Sequence, residues 1–517
     1  MSSDPNAHDT KPVNEKPSDG IDINESLSSD DKARFDSAWT PEAERKLLWK
    51  IDLALVPWLT LLYLLSCLDR VSIGSASLYG LAANLHMTNQ QYLWALTLFF
   101  FSYGVFEVPS NILLKRLSPR IWLSTIMVIW GIVMTTQGLV HNAGGLMTAR
   151  FFLGVAEAGL FPGVLYYLSC WYKRAEVGRR MAIFWSSATA AVAFGGLLAA
   201  AISNMHGIGG KPAWAWIFIL EGLLTVVVGF ASFWVIQNFP EDAKILTDEE
   251  RKFVIRRLQE DAQFSAGGEK LNKKHVWAAV TDWKTWLGML CFAGGLCPVY
   301  AIALFLPSII HELGYRATPA NLMGVPAVFT GTITTISVGF LSDRYGRRGW
   351  WNVGSCIVGI TGYIILLASN TKGVTYFGVF VASAGICPLI RMAWMSNNIE
   401  GTHKRSVSIA MIGRFGTLNG AVASNIYRAK NAPWYRMGHA ISLAYVAMTL
   451  ITSLLFIYFL DRENKARDAG LRDELILSEH SSEKGEDDRS FAGGTYETVD
   501  EARREKGDCW SGYRYVL

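Results

Sequence analysis

The chain has 517 residues, 51% hydrophobic and 12% aromatic with only 18% charged, which is too apolar for an ordinary water-soluble protein of this length. Its formal net charge of +4 comes from Lys and Arg in short clusters between apolar blocks, without the continuous basic face that nucleic-acid binding needs. Cys67, Cys170, Cys291, Cys297, Cys356, Cys387 and Cys509 lie mostly inside apolar runs and never at metal-ligand spacing, so they read as buried thiols.

In chain order, residues 1–48 are rich in Asp, Ser, Asn and Lys and lack the apolar core of a cleaved signal peptide. They are expected to form a disordered cytosolic tail. A spanning helix needs about 20 apolar residues, because hydrocarbon offers the backbone no hydrogen-bond partner. Six such blocks follow, at 53–77, 92–114, 122–141, 147–172, 181–204 and 214–236, and predict an N-terminal six-helix bundle over 49–237. Residues 238–284 are charged and form a cytosolic linker, in which Thr247 or Asp248 caps a short amphipathic helix. Six more blocks, at 285–311, 321–341, 351–369, 374–397, 407–427 and 437–460, predict a C-terminal six-helix bundle over 285–460. Beyond it, 461–517 is polar and acidic, and reads as a second disordered cytosolic tail.

The fold class is therefore an all-α polytopic membrane protein of twelve transmembrane helices in two six-helix bundles. Alternate loops carry Lys115, Arg116 and Arg120, then Lys173, Arg174, Arg179 and Arg180, then Arg344, Arg347 and Arg348, then Lys404 and Arg405. The positive-inside rule places those loops, and with them both termini, in the cytosol. The turns at 108–122 and 338–351 occupy equivalent places in the two halves and support a parallel duplication.

The stretch GFLSDRYGRR at 339–348 resembles the signature loop of the major facilitator superfamily, and Asp343, Arg344 and Arg348 become candidate gating residues at a helix end. LDRVSIGSASL, FEVPSNILLKRLSPRIWL, RFFLGVAEAGLFPGVLYYLSCWYKRAEVGRRMA and FPEDAKILTDEER look like the anion:cation symporter branch of that superfamily. LFLPSIIHELGYRATPANLMGVPA, SNNIEGTHKRSVSIAM and NIYRAKNAPWYRMGH are similar to its fungal allantoate permease group, particularly the nicotinic acid permease clade. The resemblance covers residues 50 to about 460.

Ionisable side chains inside a span cost at least ~2.5 to 3.5 kcal/mol each, so Asp69, Arg70, Arg150 and Glu157 are the first site candidates. Asp69 and Arg70 point about 100° apart and cannot address one spot. Arg150 and Glu157 are seven residues apart on one face and can address one pathway. The resemblance implies that Arg70 fixes a substrate carboxylate through paired donors. It also implies that Glu157 accepts the coupling proton, against the alternative of a packing glutamate bonded to the first span. Asp69 is the second proton-coupling candidate. Arg150, Tyr103, Tyr300 and Asn397 join Arg70 as candidate substrate-binding residues, Tyr103 by its match to a family tyrosine. Asn398 and Asn419 serve equally as interhelical hydrogen bonders. Glu107, with Arg391 and Arg414, falls near the expected cytosolic helix ends and reads as a gate residue.

These features predict a monomeric carrier in the plasma membrane, driven by the proton gradient without a cofactor, for uptake of a small organic anion such as nicotinate or a related monocarboxylate. Export of a metabolite and a non-transporting nutrient sensor are the alternatives. An enzyme is excluded by the lack of a nucleophile–base pair or an HExxH-type metal motif.

Overall fold

The computed structural model describes residues 40–260, 273–386, 388–400, 402–476, 495–499 and 506–517. The expected tail over 1–39, the middle of the linker at 261–272 and Cys387 lie outside the described residues.

Polar caps start the helices where the sequence changes from loop to apolar run. α1 (Pro41–Leu78) opens with Thr40, whose hydroxyl accepts from the Ala43 amide at 3.3 Å, followed by Pro41 and the acids Glu42 and Glu44 in the first turn. In α2 (Asn89–Arg116) the Thr88 and Gln91 side chains each accept from the other's amide, a reciprocal cap. Ser118 caps α3 (Pro119–Gln137), and Asn142 caps α4 (Ala143–Glu157) by accepting from Gly145 at 2.7 Å. α4 continues after a short turn as α5 (Leu160–Ser169), and α6 (Arg174–Ile202) and α7 (Ala213–Val235) complete the first bundle. The linker holds α8 (Asp248–Glu260) and α9 (Lys273–Thr281). Thr247, not Asp248, caps α8, accepting from the Glu250 amide while Glu250 accepts from the Thr247 amide.

The second bundle comprises α10 (Trp283–Glu312), α11 (Ala317–Tyr345), α12 (Arg348–Ala368), α13 (Lys372–Ala384), α14 (Pro388–Asn397), α15 (Thr402–Ala423) and α16 (Arg436–Asp468). Among the described residues nine helices are long and apolar enough to cross a membrane. The remaining three of the expected twelve are α2, which carries Glu107 at depth, the broken pair α13 and α14, and α15, which starts with a basic turn. The fourth helix of each half is the one that breaks, into α4 and α5 and into α13 and α14, which the sequence reading had as continuous.

Two caps close the face that bears the linker. On the first bundle, Lys50 pairs with Glu250 at 2.7 Å, Arg180 grips Asp52 through Nε at 2.6 Å and Nη2 at 3.0 Å, and Arg257 meets both Glu44 and Glu176. Burial pushes the Glu250 carboxyl up, but Lys50 and the Thr247 amide and hydroxyl outweigh it and hold the group below its usual range.

On the second bundle the cap is residues 506–517, which the sequence reading left without structure. Asn398 clasps the Val516 backbone, accepting from its amide at 2.8 Å and donating to its carbonyl at 3.0 Å. Asn464 does the same to Tyr515 at 2.9 and 3.0 Å, and Trp394 Nε1 donates to the Val516 carbonyl at 2.8 Å. Asp508 is fully buried against Lys284 and Lys404, and Arg467 lies 4.5 Å over the Tyr515 ring. The acidic composition of the preceding residues concealed a short aromatic stretch able to bury itself. Nearby, the two-residue strands Leu475–Ile476 and Thr495–Tyr496 pair in parallel, a small departure from an all-helical chain.

The two bundles meet from mid-depth to the side opposite the linker. Ser75 donates to Asn321 Oδ1 at 2.9 Å, Asn321 donates to the Tyr79 hydroxyl at 3.3 Å, and Asn425 donates to Thr97 at 2.7 Å. Gly74 allows α1 to approach so closely that a Cβ there would run into the Leu304 carbonyl of α10.

Candidate functional site

At mid-depth of the first bundle, α1 presents Arg70 to Glu157, the last residue of α4. Arg70 Nη2 and the Ser66 hydroxyl both donate to Glu157 Oε1. The pair is sequestered, with Arg70 at 9% and Glu157 at 1% exposure. Phe99 and Tyr103, one turn apart on α2, wall the guanidinium with ring centroids at 5.5 and 5.3 Å. Arg70 Nε and Glu157 Oε2 have no hydrogen-bond partner, so the pair retains a donor and an acceptor. Tyr300 of α10 approaches the same wall from the second bundle, its ring 5.0 Å from that of Phe100.

Asp69, one residue before Arg70, points away from this pair, as the 100° step of a helix requires. Its Oδ2 accepts from Trp130 Nε1 at 2.7 Å and from the Thr225 hydroxyl at 3.2 Å, between α3 and α7. Arg150 also turns into the bundle, with its guanidinium 5.7 Å over the Phe218 ring. Seven residues put Arg150 and Glu157 on one face but about 10 Å apart along the axis. Among the described ion pairs, the partner of Glu157 is Arg70 rather than Arg150.

The remaining candidates lie elsewhere. Asn397 ends α14 on the linker face, and its carbonyl accepts from the Tyr513 hydroxyl at 2.6 Å, well away from Arg70. Asn398 is committed to Val516, and Asn419 accepts from the Tyr445 hydroxyl at 3.1 Å. Glu107 and Arg414 form an interbundle ion pair at 2.9 Å, reinforced by Arg414 donating to the Gly104 carbonyl at 2.9 Å. Asp343 lies on α11, with its side chain outside the described ones, and Arg344 is exposed in the last turn of the same helix. Arg348 begins α12 after Gly346 and Arg347, which reverse the chain with φ of 66° and 52°. Arg391, considered as a gate residue, is buried inside the second bundle, donating to Asn352 Oδ1 at 2.8 Å.

Sequence reasoning overlooked two residues here. Ser66 carries no signal of its own in an apolar span. Glu221 does, as the sole acid within α7, and it is 1% exposed.

The sequence model for the Major Facilitator Superfamily matches residues 59–454. The chain belongs to the Major Facilitator Superfamily. Among curated relatives, an MFS-type transporter, cnsO, of Penicillium expansum is 34% identical over 476 residues, covering 88% of this chain and 92% of that protein. The high-affinity nicotinic acid transporter of Saccharomyces cerevisiae is 32% identical over 429 residues, covering 82% of this chain and 80% of the yeast protein. Among solved structures, an inward-facing, unoccupied bacterial homologue of the human lysosomal transporter Spinster superposes with a TM-score of 0.61 at 15% identity. It covers 77% of this chain and 95% of its own. The xylose transporter XylE of Escherichia coli, in a partially occluded inward-open conformation, superposes with a TM-score of 0.60 at 12% identity, with 79% and 97% covered. Membership of the superfamily makes the chain a multi-pass membrane transporter of a small molecule, not an enzyme.

Proposed function

We propose that the chain is a proton-coupled importer of a small organic anion, nicotinate or a related monocarboxylate, of the anion:cation symporter type and close to the allantoate permease group. The observation that carries this reading is the Arg70–Glu157 pair, held between aromatic walls at the depth where the bundles meet. A buried guanidinium can serve either the internal carboxylate or an incoming one. Protonating Glu157 releases Arg70 to grip the carboxylate of the solute, with Tyr103 and Tyr300 beside it. The loaded carrier then has no unpaired buried charge and can reorient. Empty, the Arg70–Glu157 pair restores neutrality, so both states that must cross are neutral and a lone ion is excluded. Asp69 serves as the second proton-coupling residue behind this pair. The similarity to the yeast nicotinic acid transporter over most of both chains supports the choice of solute class.

The rocking bodies are residues 49–237 and 285–460, and the linker side faces the cytosol of a cell whose plasma membrane holds the protein. The basic loops on that face support this placement. With the bundles joined on the far side, Glu107 with Arg414 forms a latch between α2 and α15. The carrier works as a monomer.

The test is uptake of radiolabelled nicotinate at acid and neutral pH in cells lacking their own permease. Uptake stimulated by acid in wild type and abolished in Arg70→Ala is expected. A well-expressed wild type without uptake retires nicotinate and moves export, another acid or a sensor role forward, and an Arg70→Ala carrier with undiminished uptake removes Arg70 from the substrate site.

A further inference from the structure

Behind the Arg70–Glu157 pair, the first bundle holds a second group of charges. Glu221 lies on α7, where α3 and α7 pack so closely that a Cβ at Gly222 would run into the Thr135 backbone amide. Both Glu221 carboxyl oxygens are buried and neither has a hydrogen-bond partner. From α1, Asp69 is an electrostatic neighbour of Glu221 and is fully buried, with Oδ1 unpartnered. Ser72 is there too, but its hydroxyl donates to the Asp69 carbonyl at 3.0 Å. From α4, Arg150 is the electrostatic neighbour of both acids and also of Glu157, and its Nε and Nη2 are unpartnered. From α3 comes Trp130, which is spent on Asp69. From α2, Tyr92 neighbours Arg150 and donates to the Ile73 carbonyl at 3.4 Å. α6 has no ionisable residue over 181–202.

The charges do not balance. Among the described residues at membrane depth in this bundle, apart from Glu107 and its partner Arg414, the carboxylates are Asp69, Glu157 and Glu221 and the guanidiniums are Arg70 and Arg150. Arg70 is engaged by Glu157, so two carboxylates remain for one cation. An ionised carboxylate without hydrogen bonds in a low-dielectric interior is the least favourable state a buried acid can take, and a bound proton relieves it. The two acids are not equivalent. Asp69 accepts from two donors that stabilise its ionised form, and Glu221 accepts from none.

We propose that Glu221 is a proton-binding site of the first bundle, in the carboxylic acid form in the resting state, with Asp69 ionised beside Arg150 in that state. The free Asp69 Oδ1 is the acceptor that a Glu221 hydroxyl needs. This site deepens the proton-coupled reading by adding a proton store one layer behind Glu157, yet its occupancy can be read without any transport.

Infrared spectroscopy of the purified protein at neutral pH tests it through the carbonyl stretch of a protonated carboxylic acid. The band should be present in wild type, persist in Glu157→Gln and vanish in Glu221→Gln. Protein grown on isotope-labelled glutamate gives the same answer without relying on a folded Gln variant, since the band must shift to lower frequency. Glu221→Asp in that labelled protein must return it to the unlabelled position. No band in wild type, a band that ignores the glutamate label, or one that survives Glu221→Gln and disappears in Asp69→Asn or Glu157→Gln overturns the assignment. Failure of nicotinate uptake leaves the spectrum unaffected, so the two readings fail separately.

Discussion

In the first bundle each deeply buried guanidinium faces carboxylates, Arg70 with Glu157 and Arg150 with Asp69 and Glu221, whereas in the second bundle Arg391 is held by the neutral side chains of Asn352 and Cys356. A guanidinium beside a carboxylate has a counter-ion that a proton can remove. One beside an amide and a thiol has no such counter-ion. At membrane depth the fold repeats and the buried carboxylates do not: the first bundle holds Asp69, Glu157 and Glu221, while the second supplies Tyr300 and Arg414 at the interface and a polar core of Asn352, Ser453 and Arg391.

The largest effect should come from breaking this contrast at Arg70. Arg70→Ala leaves Glu157 buried with only the Ser66 hydroxyl, a loss of about 3–5 kcal/mol that a thermal-shift assay in detergent can detect. Adding Glu157→Ala should recover much of that loss without restoring uptake, because the stranded charge is gone but the anion site is too. A double variant as unstable as the single one would show that the pair does not act as an ion pair.

A smaller effect, confined to the other half, should follow removal of residues 506–517. Trp394 Nε1 and Asn398 Oδ1 then lose their partners, at about 1–3 kcal/mol for each group left buried and unsatisfied, while Asn398 Nδ2 keeps the Trp394 carbonyl. Hydrogen exchange should quicken around 390–400 and 460–468 and stay unchanged in the first bundle. Equal quickening in both halves would mean that the caps are not independent.

The span pattern was legible because hydrocarbon permits few backbone solutions, and the one cap read from the sequence, at Thr247 or Asp248, was legible because such residues mark helix starts locally. Arg70, Glu157 and Tyr103 were legible as charges or as a resemblance, and the structure brings all three together. A glutamate bonded to the first span was the alternative the sequence offered for Glu157, but that its partners there are Arg70 and Ser66 was not legible, since periodicity gives the face of one helix and not which neighbour packs on it. Asn397 was misplaced for the same reason: the break between α13 and α14 and the docking of Tyr513 set its position, and both depend on distant contacts. The 506–517 cap was hidden by its acidic surroundings, because composition averaged over a long tail does not register Tyr515 finding Arg467 and Lys284. Glu221 was visible in the sequence, but its importance emerges only from counting charges around Arg150.

The most direct test of the central claim is Glu157→Gln in proteoliposomes with nicotinate, measured with and without an inward proton gradient. The account predicts that the variant exchanges labelled for unlabelled nicotinate across the membrane, since a permanently neutral side chain leaves Arg70 free, but that it no longer accumulates nicotinate against its gradient when the outside is made acid. A Glu157→Gln carrier that still accumulates nicotinate under the acid gradient would contradict it and place the coupling proton elsewhere.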